Sequence, residues 1–178
     1  MENILKKICK NKKIFVEKEK KKKNINFLIK NTSKRKKVKD FKKAFDKVLK
    51  KGKIPVISEI KKKSPSHGKI NKNFSPIKIA KNYQKKGATC LSVLTDKKYF
   101  GGSLNHLKAV RKITRLPILR KDFIIDNYQI IESKYSGVDC ILLIMAALDK
   151  KHAKELEATA FEYGLNVLLE VHNEKELE

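Results

Sequence analysis

Five short apolar runs, separated by amphipathic stretches, constrain the fold of this 178-residue chain more than any other feature. The first run begins at Ile54, and the others are ATCLSVLT (88–95), LPILRKDF (116–123), DCILLIMA (139–146) and LNVLLEVH (165–172). Between them, stretches such as SPIKIAKNYQKKG and SLNHLKAVRKI have the apolar spacing of helices. Strands that alternate with helices predict an α/β fold built on a parallel sheet with right-handed crossovers.

Three glycines support this division into elements. Gly87, Gly137 and Gly164 each follow a predicted helix and precede the next predicted strand. Glycine is favoured just past the end of a helix, because it adopts the left-handed backbone conformation without steric cost. We therefore expect each of these helices to end at its glycine.

Charged residues lie inside the first run, IPVISEIKKKSPSHGKI (54–70). Strand side chains alternate between two faces, so Glu59 and Lys61 share one face with Ile57 behind them. An acid and a base at the end of an otherwise buried strand are costly unless they serve chemistry. A surface strand with a solvated tip explains this segment alone equally well.

Polar residues recur in the carboxyl half of three more predicted strands. These residues, each with its neighbours on the same face, are Ser92 with Cys90 and Leu94, Lys121 with Leu119 and Phe123, and Glu170 with Leu168 and His172. Barrels and doubly wound sheets both place ligands at the carboxyl ends of their strands. No G-x-G-x-x-G turn follows any of the runs, so the dinucleotide-binding version of the open sheet lacks its signature.

Five segments together resemble successive signatures of one family, indole-3-glycerol phosphate synthase. In that family's order and spacing, they are SEIKKKSPSHG, LSVLTDKKYFGGS, LPILRKDFIIDNYQI, GVDCILLIMAAL and LLEVHNEKELE. The segments ILKKICKNKK and FKKAF resemble the extra helices that precede its first strand. The resemblance implies a (β/α)₈ TIM barrel of which about the first five βα units are present. Residues 1–52 would form a basic helical extension, and 53–178 the incomplete barrel.

The resemblance also implies an activity in tryptophan biosynthesis. The family is a carboxy-lyase that closes the indole ring of 1-(2-carboxyphenylamino)-1-deoxyribulose 5-phosphate, with loss of carbon dioxide and water. By motif match, Lys121 would be the general acid, and Lys61 would bind the carboxylate and assist dehydration. Glu170 would be the base or electrostatic partner, and Glu59 would orient the lysines and shuttle protons. The residues expected to contact anionic groups or to shape the aromatic pocket are Lys63, Ser64, Ser92, Phe100, Phe123 and Leu142.

Each of these residues also has a purely structural explanation. Lys61 and Lys63 belong to a triple lysine typical of solvated surface, and Lys121 next to an aspartate fits a salt-bridged strand end. Asn173 and Glu176 resemble a helix cap and its partner, which would make Glu170 an ordinary neighbour of a helix start. His172 is expected to serve packing. The joint pattern, rather than any single residue, favours a catalytic site.

The chain departs from the family pattern after its fifth strand. The motifs expected on strands six to eight, including the glycine-rich phosphate loop, are not in the sequence. Phosphate sites of such barrels commonly lie after strands seven and eight. We therefore expect a fragment of a longer protein or a truncated gene, and we expect residues 1–178 alone to be inactive.

The formal charge of +25 suggests a second hypothesis for the function. Residues 1–63 hold 25 Lys and Arg against 6 Asp and Glu, so this part could bind nucleic acid or an anionic membrane. The alternative function is a non-catalytic barrel remnant that acts as a basic nucleic-acid-binding module. Because no nucleic-acid motif is present, a lysine-rich composition is the preferred explanation. The predicted partner is a small phosphorylated substrate, with no specific nucleic acid and no membrane, and a fusion to or complex with another tryptophan-pathway enzyme is left open.

Location and cofactors follow from what the sequence lacks. Its longest apolar run, 140–148, has nine residues, against about 20 for a membrane-spanning helix. The segment MENILKKICKNKK lacks the apolar core of a secretory leader, so none is expected, and Cys9, Cys90 and Cys140 form no C-x-x-C pair. We expect a cytoplasmic protein without metal, disulfide or cofactor, in which Cys90 and Cys140 are buried thiols. The segment KEKKKKN (18–24) is expected to be a flexible loop or a frayed helix.

Overall fold

The structure, a computed structural model, describes residues 4–32, 38–66, 68–70 and 73–177. The helices are α1 (Ile4–Lys22), α2 (Ile25–Thr32), α3 (Phe41–Leu49), α4 (Pro76–Lys85), α5 (Lys97–Phe100), α6 (Leu104–Ile113), α7 (Asn127–Ser136), α8 (Lys150–Glu162) and α9 (Glu174–Leu177). The strands are β1 (Ile57–Ile60), β2 (Lys63–Ser64), β3 (Gly68–Lys69), β4 (Cys90–Leu94), β5 (Ile118–Lys121), β6 (Cys140–Ile144) and β7 (Asn166–Glu170). A 3₁₀ turn covers Met145–Ala147.

Five of the strands form one parallel sheet in the order β1-β4-β5-β6-β7, which is also their order along the chain. Helices α4, α6, α7 and α8 each lie between two consecutive strands of this sheet. The short strands β2 and β3 form a separate antiparallel pair in the loop after β1. The predicted α/β class, with a parallel sheet of successive βα units, is confirmed.

The two faces of the sheet contribute to different apolar clusters. Leu91, Ile118 and Ile141 face the helices and pack with helix residues such as Val110 and Leu156. Cys90, Leu119 and Leu142 lie on the opposite face, where they pack with Phe41 of the amino-terminal part. The alternation predicted from the sequence is therefore correct for Cys90, Leu119 and Phe123, which share a face with Ser92 or Lys121 and belong to this second cluster.

The helix ends follow the predicted chemistry. Gly87, Gly137 and Gly164 have φ values of 88°, 83° and 65°, so all three adopt the left-handed conformation expected of them. Asn173 and Glu176 form the reciprocal pair of hydrogen bonds predicted at the start of α9.

Two expectations about local structure are wrong. The first apolar run was expected to be a buried strand from Ile54 onward, but β1 starts only at Ile57. Ile54 and Val56, which precede the strand, are 86% and 49% exposed. The reason is that β1 lies on the outside of the sheet, beside β4 alone among the described strands. Most of the segment 18–24 is helical, because α1 continues to Lys22 and Lys20 pairs with Asp126 at 2.7 Å.

The amino-terminal helices pack against the sheet and its surrounding helices. Val16 of α1 and Leu28 of α2 are buried against Tyr128 and Ile131 of α7. The division of the chain at residues 52 and 53 stays a prediction. Across the residues described, no helix is both long enough and apolar enough to cross a membrane.

Candidate active site

Three charged side chains from three different strands meet at the carboxyl end of the sheet. The Nζ atom of Lys121 on β5 lies 3.3 Å from Oε2 of Glu170 on β7 and 4.0 Å from Oε2 of Glu59 on β1. These strands are not neighbours, since β4 separates β1 from β5 and β6 separates β5 from β7. The side chains therefore meet across the inner face of a curved sheet, as parallel strands with coincident carboxyl ends allow.

A second lysine extends this group. Lys61, directly after β1, places its Nζ atom 2.6 Å from Oε1 of Glu59. The side chains of Lys61, Glu59, Lys121 and Glu170 are each about a third exposed, between 31% and 35%. Ion pairs this open to water stabilise a fold by about 1 kcal/mol or less. The cluster therefore has little structural value, and its ammonium and carboxylate groups are accessible to a ligand.

An apolar cavity of about 390 Å³ adjoins the charged group. Its walls include Phe100 and Phe123, whose ring centroids are 6.4 Å apart, together with Lys121 and Glu170. The remaining wall residues are Leu5, Leu94, Asp96, Asp122, Leu142, Ile144 and His172. A cavity of this size lined by two aromatic rings, a lysine and a few other charged groups suits a flat aromatic ligand that carries an anionic group.

A second cavity of about 450 Å³ lies on the inner face of the sheet. Glu59 and Ser92 line this cavity, while Lys121, Leu142 and Glu170 line both cavities. The Ser92 hydroxyl is buried and has no hydrogen-bond partner among the described atoms. Because an unpaired buried hydroxyl is costly, Ser92 is available to a polar group of a ligand.

The structure brings most, though not all, of the predicted residues together. Lys63 and Ser64 lie on β2 and line neither cavity. The Lys63 Nζ atom instead donates a hydrogen bond to the Lys98 carbonyl at 2.8 Å. The packing role expected for His172 is wrong, because its side chain is 57% exposed and lies 3.5 Å from both Glu170 and Glu176.

Sequence reasoning missed a buried ionic network beneath the site. The Lys12 Nζ atom of α1 lies 2.7 Å from both Asp96 Oδ2 and Asp122 Oδ1, and all three side chains are at most 5% exposed. Asp122 also contacts Arg120, which reaches Glu132 on α7 at 3.0 Å.

The charges of this network control the titration of Asp122. Burial alone would raise the pKa of this carboxyl group, but the adjacent Lys12 and Arg120 charges lower it below its usual value. Burial would likewise lower the pKa of Arg120, but the Glu132 and Asp122 charges raise it.

A sequence signal for Lys12 existed. Ile8, Lys12 and Val16 are four residues apart on α1, so the lysine lies within an apolar stripe and is buried with it.

Other reactive groups lie away from the charged cluster. Burial raises the pKa of the Cys90 thiol to about 12 and raises that of Cys140 as well, so both are the inert buried thiols that were predicted. Among the residues with described positions, no three His, Cys, Asp or Glu side chains converge as a metal site would require.

Comparison with known proteins identifies the relatives of this chain. Residues 5–178 match the family model described as indole-3-glycerol phosphate synthase. A protein of that name from Zymomonas mobilis subsp. pomaceae is 46% identical over 178 residues, which are the whole of this chain and 67% of the relative. Relatives of the same name from Chromobacterium violaceum and Bordetella pertussis are 54% and 47% identical, over 71% and 85% of this chain. The matches to these last two cover 48% and 58% of the relatives' own length.

A solved structure supports the fold. The tryptophan synthase subunit alpha from Legionella pneumophila str. Paris superposes with a TM-score of 0.50 over 71% of this chain and 56% of that chain. At 16% identity this similarity concerns the fold alone. Together with the sheet order, it assigns the five βα units to a partial TIM barrel.

Proposed function

Because the chain belongs to the indole-3-glycerol phosphate synthase family, we propose that its charged cluster carries the acid–base chemistry of that enzyme. The single observation that supports this most strongly is the meeting of Glu59, Lys121 and Glu170 from three separate strands beside an aromatic cavity. The proposed substrate is 1-(2-carboxyphenylamino)-1-deoxyribulose 5-phosphate. This reaction would make the protein a lyase of tryptophan biosynthesis. We place the protein in the cytoplasm, where Cys9, Cys90 and Cys140 remain thiols.

Ring closure requires a proton donor beside the aromatic ring. The ring carbon that bears the carboxylate attacks the ketose carbonyl carbon, and the carbonyl oxygen takes a proton from the Lys121 ammonium. The new carbon–carbon bond makes that ring carbon tetrahedral, so the departure of carbon dioxide restores the aromatic ring. Lys121 suits this role because it lines the cavity that would hold the ring.

Dehydration then completes the indole. The hydroxyl group formed in the first step leaves as water with a proton from Lys61, and a carboxylate removes a proton from the substrate to form the ring double bond. Glu170 is the proposed base, since its carboxylate lies at the cavity wall 3.3 Å from Lys121. Glu59 contacts both lysines, at 2.6 and 4.0 Å, so it is placed to return protons between them. Phe100, Phe123 and Leu142 would hold the aromatic ring.

The experiment uses a fusion of residues 1–178 with the part of the Zymomonas mobilis relative that lies outside the matched region. We expect the fusion to form indole-3-glycerol phosphate with an equal amount of carbon dioxide. Lys121→Ala should lower kcat by about 10²- to 10⁴-fold, the range of general acid catalysis. Lys121→Arg should not restore it, because guanidinium does not release its proton near neutral pH.

The control is Lys112→Ala, which removes an exposed lysine of α6 and should leave kcat unchanged. A folded fusion that forms no product would overturn the proposed function. Wild-type turnover by Lys121→Ala would show that another group is the acid. No finding supports the nucleic-acid-binding alternative, and several amino-terminal lysines, such as Lys12 and Lys20, are paired with carboxylates.

A further inference from the structure

Lys12 occupies an unusual position for a residue of the amino-terminal helices. Its ammonium group is buried at the carboxyl end of the sheet and contacts one oxygen of Asp96 and one of Asp122, each at 2.7 Å. A lysine is buried to this extent only when its charge is compensated. Because both carboxylates touch the same ammonium, they are close together and would repel each other without it.

Asp122 connects Lys12 to the backbone of Lys121. The Asp122 carboxylate accepts hydrogen bonds from the Thr95 hydroxyl at 2.6 Å and from the Phe123 amide at 2.9 Å. The Thr95 amide donates to the Lys121 carbonyl at 3.1 Å. Asp122 directly follows Lys121 in the chain, so these contacts hold the peptide that directs the Lys121 side chain toward the cavity.

Asp96 connects Lys12 to the aromatic wall of the cavity. Its side chain accepts a hydrogen bond from the Tyr99 amide at 2.7 Å and caps α5, which ends at Phe100. The Asp96 carbonyl also accepts from the Gly102 amide at 2.7 Å. A second contact from α1 supports this loop, because Asn11 donates to the Tyr99 hydroxyl at 2.7 Å.

We propose that Lys12 is a positioning residue for ring closure, which sets the Lys121 ammonium and the Phe100 ring relative to each other through Asp122 and Asp96. This inference rests on the proposed function for its kinetic consequence but not for its structural one. Lys12 touches neither cavity, so it acts through the two aspartates. An error of about 1 Å in the placement of a reacting group can cost about 100-fold in rate.

The test compares Lys12→Met with Lys13→Met, which removes the neighbouring exposed lysine of the same helix. In the fusion protein, Lys12→Met should lower kcat by about 10- to 100-fold, because the acid acts only in the transition state. It should raise KM by a smaller factor, because the loop that carries Phe100 loosens. In the 178-residue chain, amide exchange measured by mass spectrometry should accelerate in 95–103 and 121–126 but not in β6. Lys13→Met should match the wild type in both measurements.

A double variant separates positioning from simple loss of stability. Lys12→Met combined with Asp96→Asn removes one positive and one negative charge, so the net charge of the buried network is preserved. We expect the double variant to regain most of the loss in melting temperature that Lys12→Met causes, while its kcat stays as low as that of Lys12→Met. Full recovery of kcat in the double variant, or a kcat of Lys12→Met equal to that of Lys13→Met, would overturn the proposal.

The two proposals fail in different ways. If the wild-type fusion neither binds nor converts the substrate, the proposed function is wrong. The positioning role of Lys12 is then tested by amide exchange alone. Unchanged exchange of 95–103 and 121–126 in Lys12→Met would then overturn the positioning role, and faster exchange confined to these segments would support it.

Discussion

Two lysines in this protein illustrate how surroundings decide what a side chain does. The Lys121 side chain is 35% exposed, with Glu170 and Glu59 beside it, so it can meet a ligand and exchange protons with it. The Lys12 side chain is 3% exposed and has two carboxylates at 2.7 Å, so it holds loops in place. Composition alone cannot distinguish these two lysines, because both are part of the same excess of basic residues. Their surroundings give them different roles.

Glu170→Gln tests the second catalytic role. Glutamine keeps the size of the side chain but can neither accept a proton nor carry the negative charge 3.3 Å from Lys121. We expect kcat of the fusion to fall by about 10²- to 10⁴-fold, while the melting temperature changes little because the pair is solvent-screened. Glu162→Gln, at the exposed end of α8, is the control. Near-normal turnover by Glu170→Gln would exclude it as the base.

At the scale of elements, the loop from β4 to α6 depends on a close backbone approach at Gly102. A Cβ atom at this position would lie 2.2 Å from the Leu94 carbonyl oxygen and 2.9 Å from the Thr95 nitrogen. These neighbours are backbone atoms at the end of β4, so they cannot rotate away as a side chain could. The same loop carries Phe100, and its position therefore depends on the absence of a side chain at Gly102.

Gly102→Ala should consequently lower the free energy of unfolding by about 1–3 kcal/mol, as overpacking typically does. It should also raise KM in the fusion, because the displaced loop moves Phe100 in the cavity wall. Gly52→Ala provides a matched control, because a Cβ atom at Gly52 would have no neighbour within 4 Å. Any loss of stability in this variant therefore comes from the φ of 66° alone. If Gly102→Ala were as stable as the wild type, with an unchanged KM, the loop would be more adaptable than its contacts indicate.

For the whole molecule, the two outer strands matter most. Within the described residues, β1 and β7 each pair with a single neighbour, so each has a free row of backbone groups. Leu169 and Val171, at β7, are 52% and 37% exposed. An apolar strand edge of this kind invites pairing with another chain.

We therefore expect the polypeptide of residues 1–178 to self-associate with rising concentration and to show no measurable turnover. Turnover should be absent because the inner cavity between β1 and β7 admits water. Leu169→Lys should weaken the association in sedimentation experiments, while Phe161→Lys, at a slightly more exposed apolar residue on α8, should not. A monodisperse monomer at all concentrations would contradict the role of the edges.

The buried network should make the stability of the molecule fall in acid. The pKa of Asp122 is lower in the folded protein than its ordinary value of about 3.9, so the unfolded chain binds a proton first. The stabilisation is thus complete above about pH 4 and is lost as the pH falls through the lowered pKa. Asp122→Asn should be less stable at neutral pH and should lose less stability between about pH 4 and 2.

Chemical denaturation at several pH values measures this dependence. Asp46→Asn, which alters an exposed carboxylate paired with Lys42, should keep the acid sensitivity of the wild type. An Asp122→Asn variant with unchanged acid sensitivity would show that other carboxylates cause it.

Local rules predicted much of this structure. Alternation along β4 and β5 placed Ser92 and Lys121 on the inner face, because a strand has a period of two whatever surrounds it. The left-handed glycines and the Asn173 cap were also predictable, since each depends on the conformational preference of one or two residues. The family motifs further pointed to Glu59 and Glu170 as members of one site.

Sequence by itself thus determined the alternation of strands and helices in the main sheet, the face on which the inner side chains of β4 and β5 lie, and the family. Only the tertiary structure decided which carboxylates compensate the buried Lys12, that His172 is exposed, and that β1 pairs with β4 alone among the described strands. The physical reason is that burial depends on which distant segments pack together. A lysine within an apolar stripe is buried only where its charge is compensated. For Lys12, two aspartates from other parts of the chain compensate it.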